Sequence, residues 1–153
     1  MKNKKKLVKE QLDATLKAFR PLMDIPPPPK GWIRAIRDAL GLNGRQFADR
    51  LNVSRQRSGQ IENEERTGSI TLKGMERIAD GLDCAFVYAL VPRTSLADTV
   101  REQAKRVAGK RLAQASQTMI LEDQGLSKEE NEQVLTGIIE ELIDNPPTNL
   151  WDE

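Results

Sequence analysis

Apolar residues recur along most of this chain at three- and four-residue steps, the period of a helix with one buried face. Leu7, Val8, Leu12, Leu16 and Phe19 predict an amphipathic helix over residues 5–20. The prolines from Pro26 to Pro29 cannot continue it and predict a stiff extended linker. Trp32, Ile33, Ile36 and Leu40 then form one helix face that ends near Gly41. Asn43 followed three residues later by Gln46 is a capping-box pattern, opening a helix through Phe47, Ala48 and Leu51. Asn52 tolerates the left-handed conformation and should stop that helix in a tight turn. Ser54 caps a third short helix through Ile61, and Thr71 a fourth with Leu72, Met75, Ile78, Ala79 and Leu82 on its stripe.

The period changes at Cys84–Val91, which is short, partly β-branched and aromatic, and stopped by Pro92, so a strand is predicted there. Thr94 or Ser95 opens a long Ala-rich helix with Leu96, Val100, Val107, Leu112 and Ala115 along one side. Ser127 and Glu130 form a second capping box, ahead of Val134, Leu135, Ile138, Ile139, Leu142 and Ile143. Pro146-Pro147 ends that helix. The expected fold is mainly helical, with a basic helix and Pro-rich linker (1–29), a compact four-helix segment (30–83), one strand (84–92) and a helical rear with an acidic tail (93–153).

Composition narrows the chemistry. The 153 residues contain no histidine and a single cysteine. A histidine base, a histidine metal ligand, a disulfide framework and an all-cysteine zinc site are therefore excluded. No nucleophile–base pair or phosphate-cradling glycine motif is present, so neither an enzyme nor a bound cofactor is expected. The longest apolar run, Cys84–Val91, is far short of the ~20 residues that span a bilayer. No apolar stretch follows the basic N-terminus, so no signal peptide is expected and the cytoplasm is the expected compartment. Cys84 reads as a small buried residue. The net charge of +1 conceals segregation. Residues 1–20 carry seven Lys/Arg against Glu10 and Asp13, whereas residues 120–153 carry ten Asp/Glu against Lys128. Two ends of opposite sign suggest two different partners, with the acidic end unsuited to a polyanion.

The segment Asn43–Glu62 carries the most information. Two short helices that cross steeply need a small residue at the crossing, which Ala48 supplies, and a turn residue that accepts positive φ, which Asn52 supplies. Phe47, Leu51, Val53 and Ile61 are its apolar anchors. Arg55, Gln56, Arg57 and Gln60 remain for the start and outer face of the second helix. Arginine pairs bidentately with guanine and glutamine with adenine in the major groove of double-stranded DNA. Gly44 and Arg45 at one helix start, Thr71 and Lys73 at another, and Arg66 in between are candidate phosphate contacts.

The pattern Phe47-Ala48, Leu51, Val53-Ser54 and Ile61-Glu62 resembles the helix-turn-helix of phage repressors and the wider Xre family, over about residues 31–82. It departs at Gly44, where the family usually places a glutamine, and at Ser58-Gly59, which replace an apolar residue and a helix former. A further resemblance rests on Gly31–Arg37, Gly68–Lys73, Gly81–Pro92, Met119–Gln124 and Leu150-Trp151-Asp152. These look like the bacterial family called mobile mystery protein A, whose members are encoded beside a Fic-domain protein. That resemblance implies an antitoxin and autorepressor with a Fic-domain toxin as partner.

Both faces of the predicted strand ask for burial: Phe86, Tyr88 and Leu90 on one side, Val87, Ala89 and Val91 on the other. No second strand is apparent. Antiparallel pairing with the same strand of a second copy satisfies its backbone and matches a palindromic operator. Toxin contact is expected at the acidic rear, through Ile139, Leu142 and Trp151. A stand-alone repressor without a toxin, or a helix-turn-helix scaffold that binds only protein, are the competing possibilities.

Overall fold

The computed structural model describes residues 2–121 and 127–152. Glu122-Asp123-Gln124, part of the last motif of the family resemblance, lie outside the described residues. The helices are α1 (Lys2–Lys17), α2 (Trp32–Ala39), α3 (Gly44–Leu51), α4 (Arg55–Thr67), α5 (Leu72–Gly81), α6 (Leu96–Leu121) and α7 (Lys128–Asp144), with a 3-10 turn at Arg20–Asp24. They form two compact units, residues 21–89 and residues 1–20 with 90–153. The fold is mainly helical, and no helix among the described residues is long and apolar enough to cross a membrane.

In the 21–89 unit, Ile33, Phe47, Leu51, Ile61, Ile78 and Leu82 form the core, with Ile36, Leu42, Val53, Ile70, Met75 and Cys84 packed at its edge. Burial of this set is the main stabilising term. Local signals fix where the helices begin. Asn43 Oδ1 accepts from the Gln46 N–H (2.8 Å) while Gln46 Oε1 accepts from the Asn43 N–H (2.9 Å), completing the capping box. Asn52 closes α3 in the left-handed conformation, φ 55°. The α2 stripe is narrower than its sequence suggests: Ile33 is buried, but Trp32 and Leu40 are about half exposed.

Long-range polar contacts finish this unit. The Glu65 carboxylate accepts from the Trp32 and Ile33 N–H groups, each at 2.9 Å, capping α2 from another helix. Gly31 makes room for it at φ 89°, where a Cβ would lie 2.6 Å from Glu65 Oε1. Buried Arg37 donates from Nε to Glu62 Oε1 and from Nη1 to the Leu42 carbonyl (2.8 Å). Removing Glu62 would take from the buried guanidinium its closest carboxylate, and removing Arg37 would leave Glu62 with Arg34 Nη1 at 3.5 Å.

The unit of residues 1–20 and 90–153 is organised by α6. Asp13 of α1 accepts from the Leu96 and Ala97 N–H groups at 2.7 and 3.1 Å, taking two free donors at the start of α6. Residues 1–20 thus pack within the same compact unit as residues 90–153. Ser95 Oγ accepts from the Asp98 N–H (2.9 Å), which settles the choice between Thr94 and Ser95 as cap. Helix α7 begins at its Ser127–Glu130 capping box. Bonding to Ser127 holds the Glu130 carboxyl below its ordinary range. The α7 stripe packs on α6 around Ala104, Val107, Ala108, Leu142 and Leu150.

Two expectations need correction. Cys84–Val91 has no regular secondary structure within the single chain, and no ladder forms among the described residues. A lone segment has no second strand with which to exchange backbone bonds. Phe86 is half-buried and stacks on Tyr88 with ring centroids 5.7 Å apart, while Val87, Tyr88 and Leu90 stay exposed, Leu90 at 90%. The proposed toxin contact also changes. Leu142 is 3% exposed and Ile139 packs at the edge of the same core, because the stripe is consumed by α6. Leu150 is buried as well, and its carbonyl accepts from Gln103 Nε2 at 2.7 Å, so the tail is pinned to its own unit. Trp151 stays accessible, at 54%.

Candidate nucleic-acid interface

Helices α3 and α4 meet through Ala48 and the Asn52 turn, with Val53 N–H donating to the Ala48 carbonyl (3.0 Å). Ser54 Oγ then accepts from the Arg57 N–H (3.0 Å) and starts α4. Ser58 lies where α4 crosses the start of α3. It is buried, and its hydroxyl lies 2.7 Å from the Arg55 carbonyl and 3.2 Å from the Gly44 carbonyl. The two departures from the Xre pattern, Gly44 and Ser58, therefore meet in the structure. Gly59 is exposed, and a Cβ there would meet nothing within 4 Å.

With about 3.6 residues per turn, Gln56 and Asn63 lie directly opposite the side of α4 that carries Ser58 and Ile61, with Gly59 and Gln60 beside them. Arg55 and Arg66 occupy one edge of this exposed face, Arg57 and Glu64 the other. Arg55, Gln56 and Gln60 are all exposed, and Arg55 has no ion-pair partner among the described residues. Arg57 is engaged: its Nη1 donates to Glu64 Oε1 (2.6 Å) and Gln60 Oε1 (3.5 Å), and its Nη2 to Glu64 Oε2 (3.3 Å). The bond to Glu64 raises the Arg57 guanidinium above its ordinary value.

The phosphate candidates flank this face. Gly44 and exposed Arg45 occupy the first turn of α3. Thr71 caps α5, its Oγ1 accepting from the Gly74 N–H (2.9 Å), and exposed Lys73 follows in the first turn. First-turn N–H groups have no partners within a helix, so each start offers donors to an anion. Arg66 Nη2 donates to Asn63 Oδ1 at 2.6 Å. A cleft of about 420 Å³ between the Arg57–Glu64 edge and the start of α5 is lined by both side chains, Ser69, Thr71 and Arg77.

Glu64 is the residue that helix periodicity alone misses. A third helix ending at Ile61 stops short of it, whereas α4 continues to Thr67 and is closed by Gly68 at φ 80°. Seven residues separate Arg57 from Glu64, two turns on the same flank, so the spacing signals the pair once the helix is long enough. Glu62, at the end of the Xre pattern, is also reached by Arg34 Nη1 (3.5 Å). Arg34 in turn donates to Asp38 (3.0 Å), and this bond holds the Asp38 carboxyl below its ordinary range.

No curated protein and no solved structure matches the chain. Residues 33–88 match the family model described as helix-turn-helix, an Xre-type domain. That span runs from the second residue of α2 past the end of α5, including the exposed start of α4, the capped turn and the helix starts beside it. The segment is a helix-turn-helix domain, and the chain that carries it is a DNA-binding transcriptional regulator.

Proposed function

We propose that this regulator binds a palindromic operator as a homodimer, represses its own transcription and neutralises a Fic-domain toxin encoded beside it. Operator recognition is carried by one observation: the start of α4 presents Arg55, Gln56 and Gln60 on an exposed face, flanked by two helix starts that offer donors to phosphate. In this scheme the tip of α4 enters the major groove, and Arg55, Gln56, Arg57 and Gln60 supply the base contacts. Gly44, Arg45, Arg66, Thr71 and Lys73 hold the backbone on either side.

Dimerisation is assigned to Phe86–Leu90. Its exposed apolar side chains and unladdered backbone favour strand addition by a second copy. Introducing proline at Val87 removes a ladder donor and should yield monomers in sedimentation. An unchanged dimer would refute the assignment. The toxin role rests on the family resemblance and the acidic rear, and Trp151 is the accessible aromatic there. Co-expression with the adjacent gene and pull-down tests it. The operator arm is tested by mobility shift of the chain's own upstream DNA: a sequence-selective, salt-dependent complex is expected, and its absence refutes the reading.

A further inference from the structure

We propose that Glu64 withholds Arg57 from DNA phosphates, so that this chain grips nonspecific DNA with one cation fewer than its sequence offers. The inference rests on the DNA-binding reading and deepens it. Three observations carry it. The Arg57 fork is closed on the Glu64 carboxylate by bonds of 2.6 and 3.3 Å, a bidentate charge-assisted pair. Both residues belong to one helix two turns apart, so the carboxylate meets the guanidinium without a bimolecular encounter. The pair also lines the same cleft as Ser69 and Thr71, beside the start of α5, where a phosphate would be bound. Released from Glu64, the guanidinium is within the region of that phosphate. Held by Glu64, it is neutralised there.

The contrast with the other edge of α4 supports the assignment. Arg55 has no carboxylate partner among the described residues, so it is free to meet DNA. Arg57 is the groove-side arginine whose charge is cancelled within its own helix on nonspecific DNA, and only an operator base that accepts its fork in place of Glu64 engages it in the base contact assigned above. Every uncancelled cation adds to binding at all sequences alike, whereas base contacts add only at the operator. Cancelling one therefore lowers the nonspecific background against which the operator must be found.

The test is a double-mutant cycle on the full chain, with a 30-bp duplex of random sequence as probe and binding measured from low to moderate salt. Glu64→Gln keeps the shape but removes the charge. It should tighten nonspecific binding about five- to tenfold near 0.1 M salt and steepen the log–log salt slope by about 0.9. In the Arg57→Ala background, Glu64→Gln should leave the slope unchanged, because no arginine remains to be released. Glu64→Asp retains the carboxylate and should stay near the wild-type slope. Melting of each variant followed by circular dichroism reports folding, and Glu64→Ala is measured in parallel should Glu64→Gln not fold. A Glu64→Gln slope equal to wild type overturns the proposal. So does an equal steepening with and without Arg57, which would reduce the effect to simple charge removal. Failure of the wild type to bind any duplex overturns the DNA-binding reading itself, a different result from a shared slope.

Discussion

Leu150→Ala is the perturbation that best tests how the C-terminal tail is held. The side chain is 1% exposed and sits among Ala104, Val107, Ala108 and Leu142. Removing three carbons from such a site forfeits about 2–2.5 kcal/mol of transfer free energy at about 0.8 kcal/mol per carbon. The cavity adds to that. Two of its walls are alanines of α6, which have no long side chains to swing into the gap, so collapse is limited. A total of about 3–4 kcal/mol is expected, within the usual range for a buried leucine. The Gln103 bond to the Leu150 carbonyl survives the substitution, because it uses the backbone. Trp151→Ala should cost about 1–2 kcal/mol, since roughly half of that ring is already in water. Urea unfolding in a Trp32→Phe background leaves Trp151 as the fluorescent reporter of the Leu150 variant. Circular dichroism serves the Trp151 variant. A Leu150→Ala loss under about 0.5 kcal/mol, or a larger loss for Trp151→Ala, would refute the packing argument. The same packing makes deletion of residues 145–153 a poor test of toxin binding. Removing residues 145–153 takes away Leu150 and the acceptor for buried Gln103 together, at an added cost of about 1–3 kcal/mol for the orphaned amide. Trp151→Ala is the cleaner variant for neutralisation.

Gly31→Ala should destabilise the 21–89 unit by about 1–3 kcal/mol, because φ is 89° and the new Cβ would press on the Glu65 carboxylate that caps α2; urea unfolding within about 0.5 kcal/mol of wild type would contradict this. Gly59→Ala should stabilise α4 by about 0.8–1 kcal/mol, since the site is helical, exposed and open, and a lowered melting temperature would show a hidden contact. Gln56→Ala should cost about 1–3 kcal/mol on the operator and relax its sequence preference. Lys73→Ala should instead weaken all duplexes alike and flatten the salt slope by about 0.9. If the two variants behave identically in titrations of operator and random DNA, the division into base and phosphate contacts is wrong.

The helix-turn-helix is legible in the sequence because its determinants are local. Asn43 with Gln46, Ser54, Asn52 and Thr71 each act within three or four residues, so spacing alone places the caps and the left-handed turn. The identity of Arg55, Gln56 and Gln60 as an exposed face follows from helical period and the apolar anchors beside them. An amphipathic stripe, by contrast, says that a face is buried without saying against what. Only the tertiary structure places the α7 stripe on α6 and so takes Leu142 away from a partner. Contacts between distant positions are equally silent in the sequence: Asp13 on the start of α6, Glu65 on the start of α2, and Arg37 with Glu62. Each of these carboxylates and the arginine would look like a solvated charge until the chain closes around it. Cys84–Val91 marks the same boundary. Its β-branched and aromatic residues favour extension, but a strand exists only with a partner, and no local propensity supplies one.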